Sequence, residues 1–179
     1  MSNRSLERVL DGEYVAALDK LPVEELRAKR TECQRLEDAA SYLRRLVQGR
    51  LDVVGLEIRA RTSGERADLS AIVEQLPAIL AEGTGRTATG RLVGADGPPD
   101  DQEAWATQRV DAACRGLDLA NVPELADPDL FRLTDALHAL ERQVSTERRR
   151  LHDVIDTLQI ELIRRYKTGE ASVDGLLRG

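Results

Sequence analysis

Two stretches of this chain carry the same polar series at the same spacing, and this duplication limits what the chain can fold into more than any other feature. In the first, ELRAKRTECQRLEDAASYLRRLVQGRLDVVGLEIRAR, Glu37, Ser41, Arg44, Gln48 and Asp52 stand at steps of four, three, four and four. In the second, ERQVSTERRRLHDVID, the residues at the same steps are Glu141, Ser145, Arg148, His152 and Asp156. The offset is 104 residues throughout, and it also relates Leu36 to Leu140, Arg45 to Arg149, Val47 to Leu151, Leu51 to Ile155, Val54 to Leu158, Glu57 to Glu161, Ile58 to Leu162 and Arg61 to Arg165. At roughly 100° per residue the five polar positions fall within about 80° of a helix surface. A repeat kept for packing alone would retain its apolar positions and not its polar ones.

Beside each polar series runs an apolar one. It comprises Leu26, Cys33, Leu36, Ala40, Leu43, Val47, Leu51, Val54 and Ile58 in the first copy, and Leu137, Leu140, Val144, Leu151, Ile155, Leu158 and Leu162 in the second. These are coiled-coil spacings with one extra four-residue step between Val47 and Leu51. Aromatic residues make up only 3% of the chain and charged residues 32%, which favours long helices packed along a seam over a large compact core. The expected fold is all-α, an antiparallel coiled-coil helical hairpin whose long connector contains short helices. Core residues from Leu36 to Leu51 each precede a member of the polar stripe, which places the stripe about 100° round from the seam. That shoulder is partly desolvated and still open to a ligand.

Five segments follow: an N-terminal segment, 1–21; a first long helix, 22–61; an acidic connector, 62–124; a second long helix, 125–168; and a C-terminal tail, 169–179. Pro22, Glu24 and Glu25 suit the start of the first helix. Pro123 and Pro128 mark the entry to the second, and Gly169 its exit. In the connector, DLSAIVEQLPAILAEG predicts a short amphipathic helix capped by Asp68 or Ser70 and interrupted near Pro77. GTGRTATGRLVGADGPPDDQEAW reads as loop, and residues 104–119 as another short helix.

Charge is distributed unevenly. Residues 24–61 hold nine basic against seven acidic side chains, residues 129–167 eight against seven, and residues 62–128 five against twelve. Mildly basic helices suit an anionic ligand, yet they fall short of a DNA-binding footprint, so no direct DNA binding is expected. The N-terminus lacks a secretory signal pattern and no apolar run is long enough to span a bilayer, so a cytoplasmic protein with no membrane association is expected. Cys33 and Cys114 lack metal-ligand spacing, Cys33 occupies an apolar helix position, and His138 and His152 form no HExxH pattern. No nucleophile–base pair or phosphate loop is present: the Gly-rich GTGRTATG stretch lacks the ending of a P-loop. Arg44 and Arg148, interleaved among the acids, argue against a carboxylate metal cage. The expected protein is not an enzyme.

The residue types suit a guanine nucleotide. Arginine reads guanine O6 and N7 bidentately, and a carboxylate accepts from N1–H and the exocyclic amine. Ser41, Ser145 and Gln48 supply donors to phosphate or ribose. Two stripes on antiparallel helices form a pseudo-two-fold site that suits a two-fold symmetric ligand with two guanines and two phosphates. The series Glu-x3-Ser-x2-Arg-x3-Gln-x3-Asp, present twice, resembles the motif of RsiG-type anti-sigma factors of actinobacteria, over roughly 22–61 and 125–166. The resemblance implies cyclic di-GMP bound by Glu37, Ser41, Arg44, Gln48, Asp52, Glu141, Ser145, Arg148, His152 and Asp156, as one nucleotide or a stacked dimer. It also implies a WhiG-like, flagellar-class sigma factor as partner, held away from RNA polymerase. His152 departs from the pattern, standing where the family motif has Gln. Two other readings stay open: a coiled-coil adaptor whose stripes form interhelical salt bridges, and a cyclic di-GMP effector with another protein target.

Overall fold

The computed structural model describes residues 2–63, 99–117, 119 and 121–169. Ser2 accepts from the Ser5 amide at 3.2 Å and starts helix α1, Asn3–Val9. Asp11 accepts from the Glu13 amide at 3.0 Å and starts a 3-10 turn, Gly12–Val15. A second such turn, Leu18–Lys20, leads into α2, Val23–Ser63. After it come α3, Asp100–Cys114, a 3-10 turn at Val122–Glu124, and α4, Asp127–Lys167. The two long helices have 41 residues each, begin with acids (Glu24 and Glu25; Asp127 and Asp129) and end with bases (Arg61; Arg164, Arg165 and Lys167). Those charges oppose the partial charges of the helix ends. Gly169, at φ 75°, takes the left-handed conformation just past α4.

All the described elements are helical and α2 packs antiparallel to α4, as the duplicated periodicity predicts. The expected amphipathic segment DLSAIVEQLPAILAEG and most of the expected loop lie outside the described residues. The short helix after them begins at Asp100 instead of residue 104 and ends at Cys114. Asp100, Asp101 and Glu103 form its first turn behind Pro99, and three acids at a helix N-terminus favour helix where a Gly- and Pro-rich context reads as loop.

The chain divides into two units, each built from parts of both long helices. The first, residues 1–41 with 144–179, holds α1, the two 3-10 turns that follow it, the N-terminal part of α2 and the C-terminal part of α4. Leu6, Val9, Tyr14, Leu18, Leu26, Cys33 and Leu36 are buried there, with Val144, Leu151, Leu158 and Leu162 from α4. The second, residues 42–143, holds the rest of α2, α3, its 3-10 turn and the start of α4. Its buried residues include Leu43, Val47, Val54, Trp105, Val110, Val122, Leu130, Leu133 and Leu137. The 104-residue offset extends beyond the long helices. It carries buried Leu6 onto Val110, Leu18 onto Val122, Leu26 onto Leu130 and Cys33 onto Leu137, and the turn Leu18–Lys20 onto Val122–Glu124. Each copy is therefore a short helix, a 3-10 turn at the matching place and a long helix, and the first has a further 3-10 turn, Gly12–Val15.

Both cysteines are buried and free, consistent with Cys33 as a small core residue. Leu51, Ile58 and Ile155, read from the spacing as seam residues, are half-buried. From Val47 to Val54, and from Leu151 to Leu158, burial recurs at seven residues, so the side chain at the extra four-residue step stands beside the buried line.

Candidate functional site

One oxygen organises the polar stripe of the first unit. Glu37 Oε1 accepts from Ser41 Oγ at 2.7 Å, one turn along α2, and from Arg148 of α4, Nη2 at 2.8 Å and Nε at 3.1 Å. His152 Nε2 lies 3.5 Å from the same oxygen. Burial pushes the Glu37 carboxyl up, but the hydrogen bonds from Ser41 and Arg148 and the positive charges around it outweigh that and hold it below the ordinary glutamate value. The carboxylate is well covered, its side chain only 16% exposed, whereas His152 is 54% exposed.

In the second unit Arg44 Nε donates to Glu141 Oε1 at 3.1 Å. The glutamate of each copy thus pairs with the arginine of the other: Glu37 with Arg148, and Glu141 with Arg44. Glu, Ser and Arg are half-buried in both copies, as is Gln48, while Asp52, His152 and Asp156 are exposed. The ten stripe residues are distributed as Glu37, Ser41, Ser145, Arg148, His152 and Asp156 in the first unit, and Arg44, Gln48, Asp52 and Glu141 in the second. Among them the structure brings together Glu37, Ser41, Arg148 and His152, and separately Arg44 and Glu141. No hydrogen bond joins Gln48, Asp52 or Asp156 to either cluster.

The arrangement can bind an anion by exchange. Each arginine is held by one carboxylate, and a ligand with phosphates or guanine edges would take it over and return Glu37 or Glu141 to another donor. The acids at the exposed end of each stripe, Asp52 and Asp156, carry no arginine from among the described residues and can accept from a donor. Among the described residues no group of His, Cys, Asp and Glu has the arrangement to hold a metal ion.

Reading the stripe helix by helix does not find this cross-pairing, because Glu37 and Arg148 are 111 residues apart and Arg44 and Glu141 are 97 apart. It also leaves a second duplicated pair without a role. Arg165, buried, donates from Nη2 to the carbonyls of Leu18, Asp19 and Leu21 at 3.0, 2.7 and 3.1 Å, and from Nε to Glu161 Oε1 at 2.7 Å. Its counterpart Arg61 donates from Nη2 to the Pro123 carbonyl at 3.1 Å, from Nη1 to Asp127 at 2.6 Å and from Nε to Glu57 at 2.6 Å. Each arginine, steadied by a glutamate four residues before it, clasps the chain that leads into the opposite long helix. The recurrence of Glu57/Arg61 as Glu161/Arg165 is the sequence signal for these clasps.

The described residues thus form paired long helices with a duplicated stripe in which acids and arginines are joined in ion pairs. The family model described as RsiG-like matches residues 12–80 and 117–179, which include both copies of the stripe and both clasps, and the chain belongs to this family. Neither the curated proteins nor the solved structures contain a match. Among the described residues no helix is long and apolar enough to cross a membrane.

Proposed function

We propose that this protein is a cyclic di-GMP-responsive anti-sigma factor, which binds the nucleotide on its two helical motifs and sequesters a WhiG-like sigma factor from RNA polymerase. Membership of the RsiG-like family supports the anti-sigma role, and the family's role is regulatory, not catalytic. The observation that carries the nucleotide reading is the reciprocal pairing of Glu37 with Arg148 and Glu141 with Arg44. These pairs hold two guanidinium groups half-buried and oriented, at equivalent places of a duplicated motif, where a ligand with two guanines and two phosphates has two equivalent demands. In this reading Arg44 and Arg148 turn from the glutamates to the guanine or phosphate edges. Asp52 and Asp156 accept from guanine N1–H and the exocyclic amine, and Ser41, Ser145, Gln48 and His152 complete the hydrogen bonds.

The same ion pairs favour a second reading, in which they serve only as interhelical salt bridges of a coiled-coil adaptor. Calorimetric titration with cyclic di-GMP, against linear dinucleotide and GTP, separates the two. Saturable binding of the cyclic form alone supports the nucleotide reading, and no heat with any of the three supports the adaptor. Sigma-factor affinity measured with and without saturating cyclic di-GMP then tests the switch. Linkage requires each ligand to tighten the other equally, by about 1–3 kcal/mol for a typical coupling. Equal sigma-factor affinities in both conditions would leave a nucleotide effector with another target.

A further inference from the structure

The two copies of the stripe differ at one position: the first has Gln48 where the second has His152. Because glutamates and arginines pair across copies, this difference falls on one ion pair only. Glu37 Oε1 receives Arg148 at 2.8 Å and faces His152 Nε2 at 3.5 Å, whereas Glu141 receives Arg44 at 3.1 Å in a unit whose residue at the matching position is an amide. His152 is the most exposed member of its cluster, so a proton from solvent reaches it without passing through the core.

We propose that His152 is a positioning residue for Arg148: its charged imidazole takes over the Glu37 carboxylate and releases the Arg148 guanidinium to an anionic ligand. This rests on the nucleotide reading of the stripe. Among the described residues, the following groups bear on His152. From α2 it faces Glu37, which also holds Ser41. On α4, Arg148 and Asp156 stand one turn to either side, and Arg149 and Asp153 are exposed neighbours. Neutral imidazole has no charge with which to displace a guanidinium from Glu37. Charged imidazole competes for the carboxylate, and it adds positive charge where an anion arrives. Both effects tighten ligand binding as pH falls and make binding take up a proton, with affinity changing by at most about tenfold per pH unit for one such group. Gln48 cannot do this for Arg44.

The test is a calorimetric titration of the full chain with cyclic di-GMP between about pH 6 and pH 8, the range in which imidazole changes charge. Affinity is expected to fall severalfold as pH rises. His152→Gln should bind with no such slope, and Gln48→His should steepen it. A flat wild-type profile, or a slope retained in His152→Gln, overturns the proposal. A ligand-free readout keeps it separate from the nucleotide reading: exchange of the Arg148 Nε–H with solvent, measured by NMR relative to that of Arg44 in the same sample. On lowering the pH this ratio should rise in wild type and stay constant in His152→Gln. Failure to bind cyclic di-GMP at any pH, with the exchange ratio still rising, removes the nucleotide reading and keeps the release of Arg148 by the latch that His152 and Glu37 form. A constant ratio in wild type removes the latch.

Discussion

The two units share one plan and differ in how tightly they are closed. In the first, the clasp is a buried arginine with three backbone carbonyls and Glu161, and the stripe is a carboxylate shared by Ser41, Arg148 and His152. In the second, the clasping Arg61 reaches one carbonyl and two carboxylates nearer solvent, and the stripe ion pair joins Arg44 to Glu141. The first unit also seats Tyr14, buried, with its hydroxyl donating to Glu32 at 2.8 Å and Lys29 against its ring, 3.7 Å from the centroid. Residue position within a duplicated sequence therefore does not set environment. The same Glu-x3-Arg pair becomes buried at one end and partly solvated at the other, according to what the neighbouring segment offers.

The strongest way to probe this comparison is through the core. Leu151→Ala in the first unit, at a fully buried site, should destabilise the protein by about 2–5 kcal/mol, and its counterpart Val47→Ala, which removes fewer carbons, by less; chemical denaturation measures both. A larger loss at Val47 would reverse the ranking of the two units. Next comes the clasp. Arg165→Ala removes charge-assisted hydrogen bonds from three carbonyls and should cost roughly 1.5–3 kcal/mol. Arg61→Ala, at the more solvated clasp, should lower the denaturation midpoint less. Equal losses would mean that the contacts of Arg61 are worth as much as burial.

Nucleotide binding sharpens the comparison further. Arg148→Ala and Asp156→Ala should each weaken cyclic di-GMP binding by about 1–3 kcal/mol, tenfold to a hundredfold, with helicity by circular dichroism unchanged. Arg44→Ala and Asp52→Ala should behave alike if the two copies contribute equally. Wild-type affinity in all four variants would remove the guanine-reading role. The smallest effect expected is on acid stability. Hydrogen bonds from Arg164 and Arg165 pull the Glu161 carboxyl down to about 2 from 4.5. A carboxyl depressed on folding contributes stability above its unfolded value, near 4.5, and that contribution is lost as pH falls toward 2. Solvent screening keeps it small. Glu161→Gln should flatten this part of the stability profile, and Glu37, lowered in the same direction by Ser41 and Arg148 against its own burial, should act likewise.

Much of the architecture is legible in the sequence. Leu36, Leu43, Val47, Leu140, Val144 and Leu151 all lie on the buried line that the heptad-like spacing marks, because a long helix repeats its message over many turns. The segment before α2 was not legible in the same way. α1 has seven residues and its two following turns fewer, too short for periodicity to show, although Leu6, Val9, Tyr14 and Leu18 are all buried. The first turn of α3 looks like loop in the sequence because glycine and proline dominate just before it.

Within the candidate site, helical periodicity alone tells which residues share a face. Glu37 and Ser41 are one turn apart, and their 2.7 Å hydrogen bond follows from helical geometry alone. That Glu37 meets Arg148 and not Arg44 follows from how the two long helices pack. Those two arginines are the same residue type at equivalent places in a repeat, and local spacing cannot choose between them. Arg44 stands two turns from Glu37 along the same helix, beyond the reach of adjacent-turn pairing, whereas the antiparallel register of α2 and α4 brings Arg148 across from it. That register rests on the apolar seam and on the arginine clasps, through contacts between residues 62 to 147 positions apart that no single stretch of sequence contains.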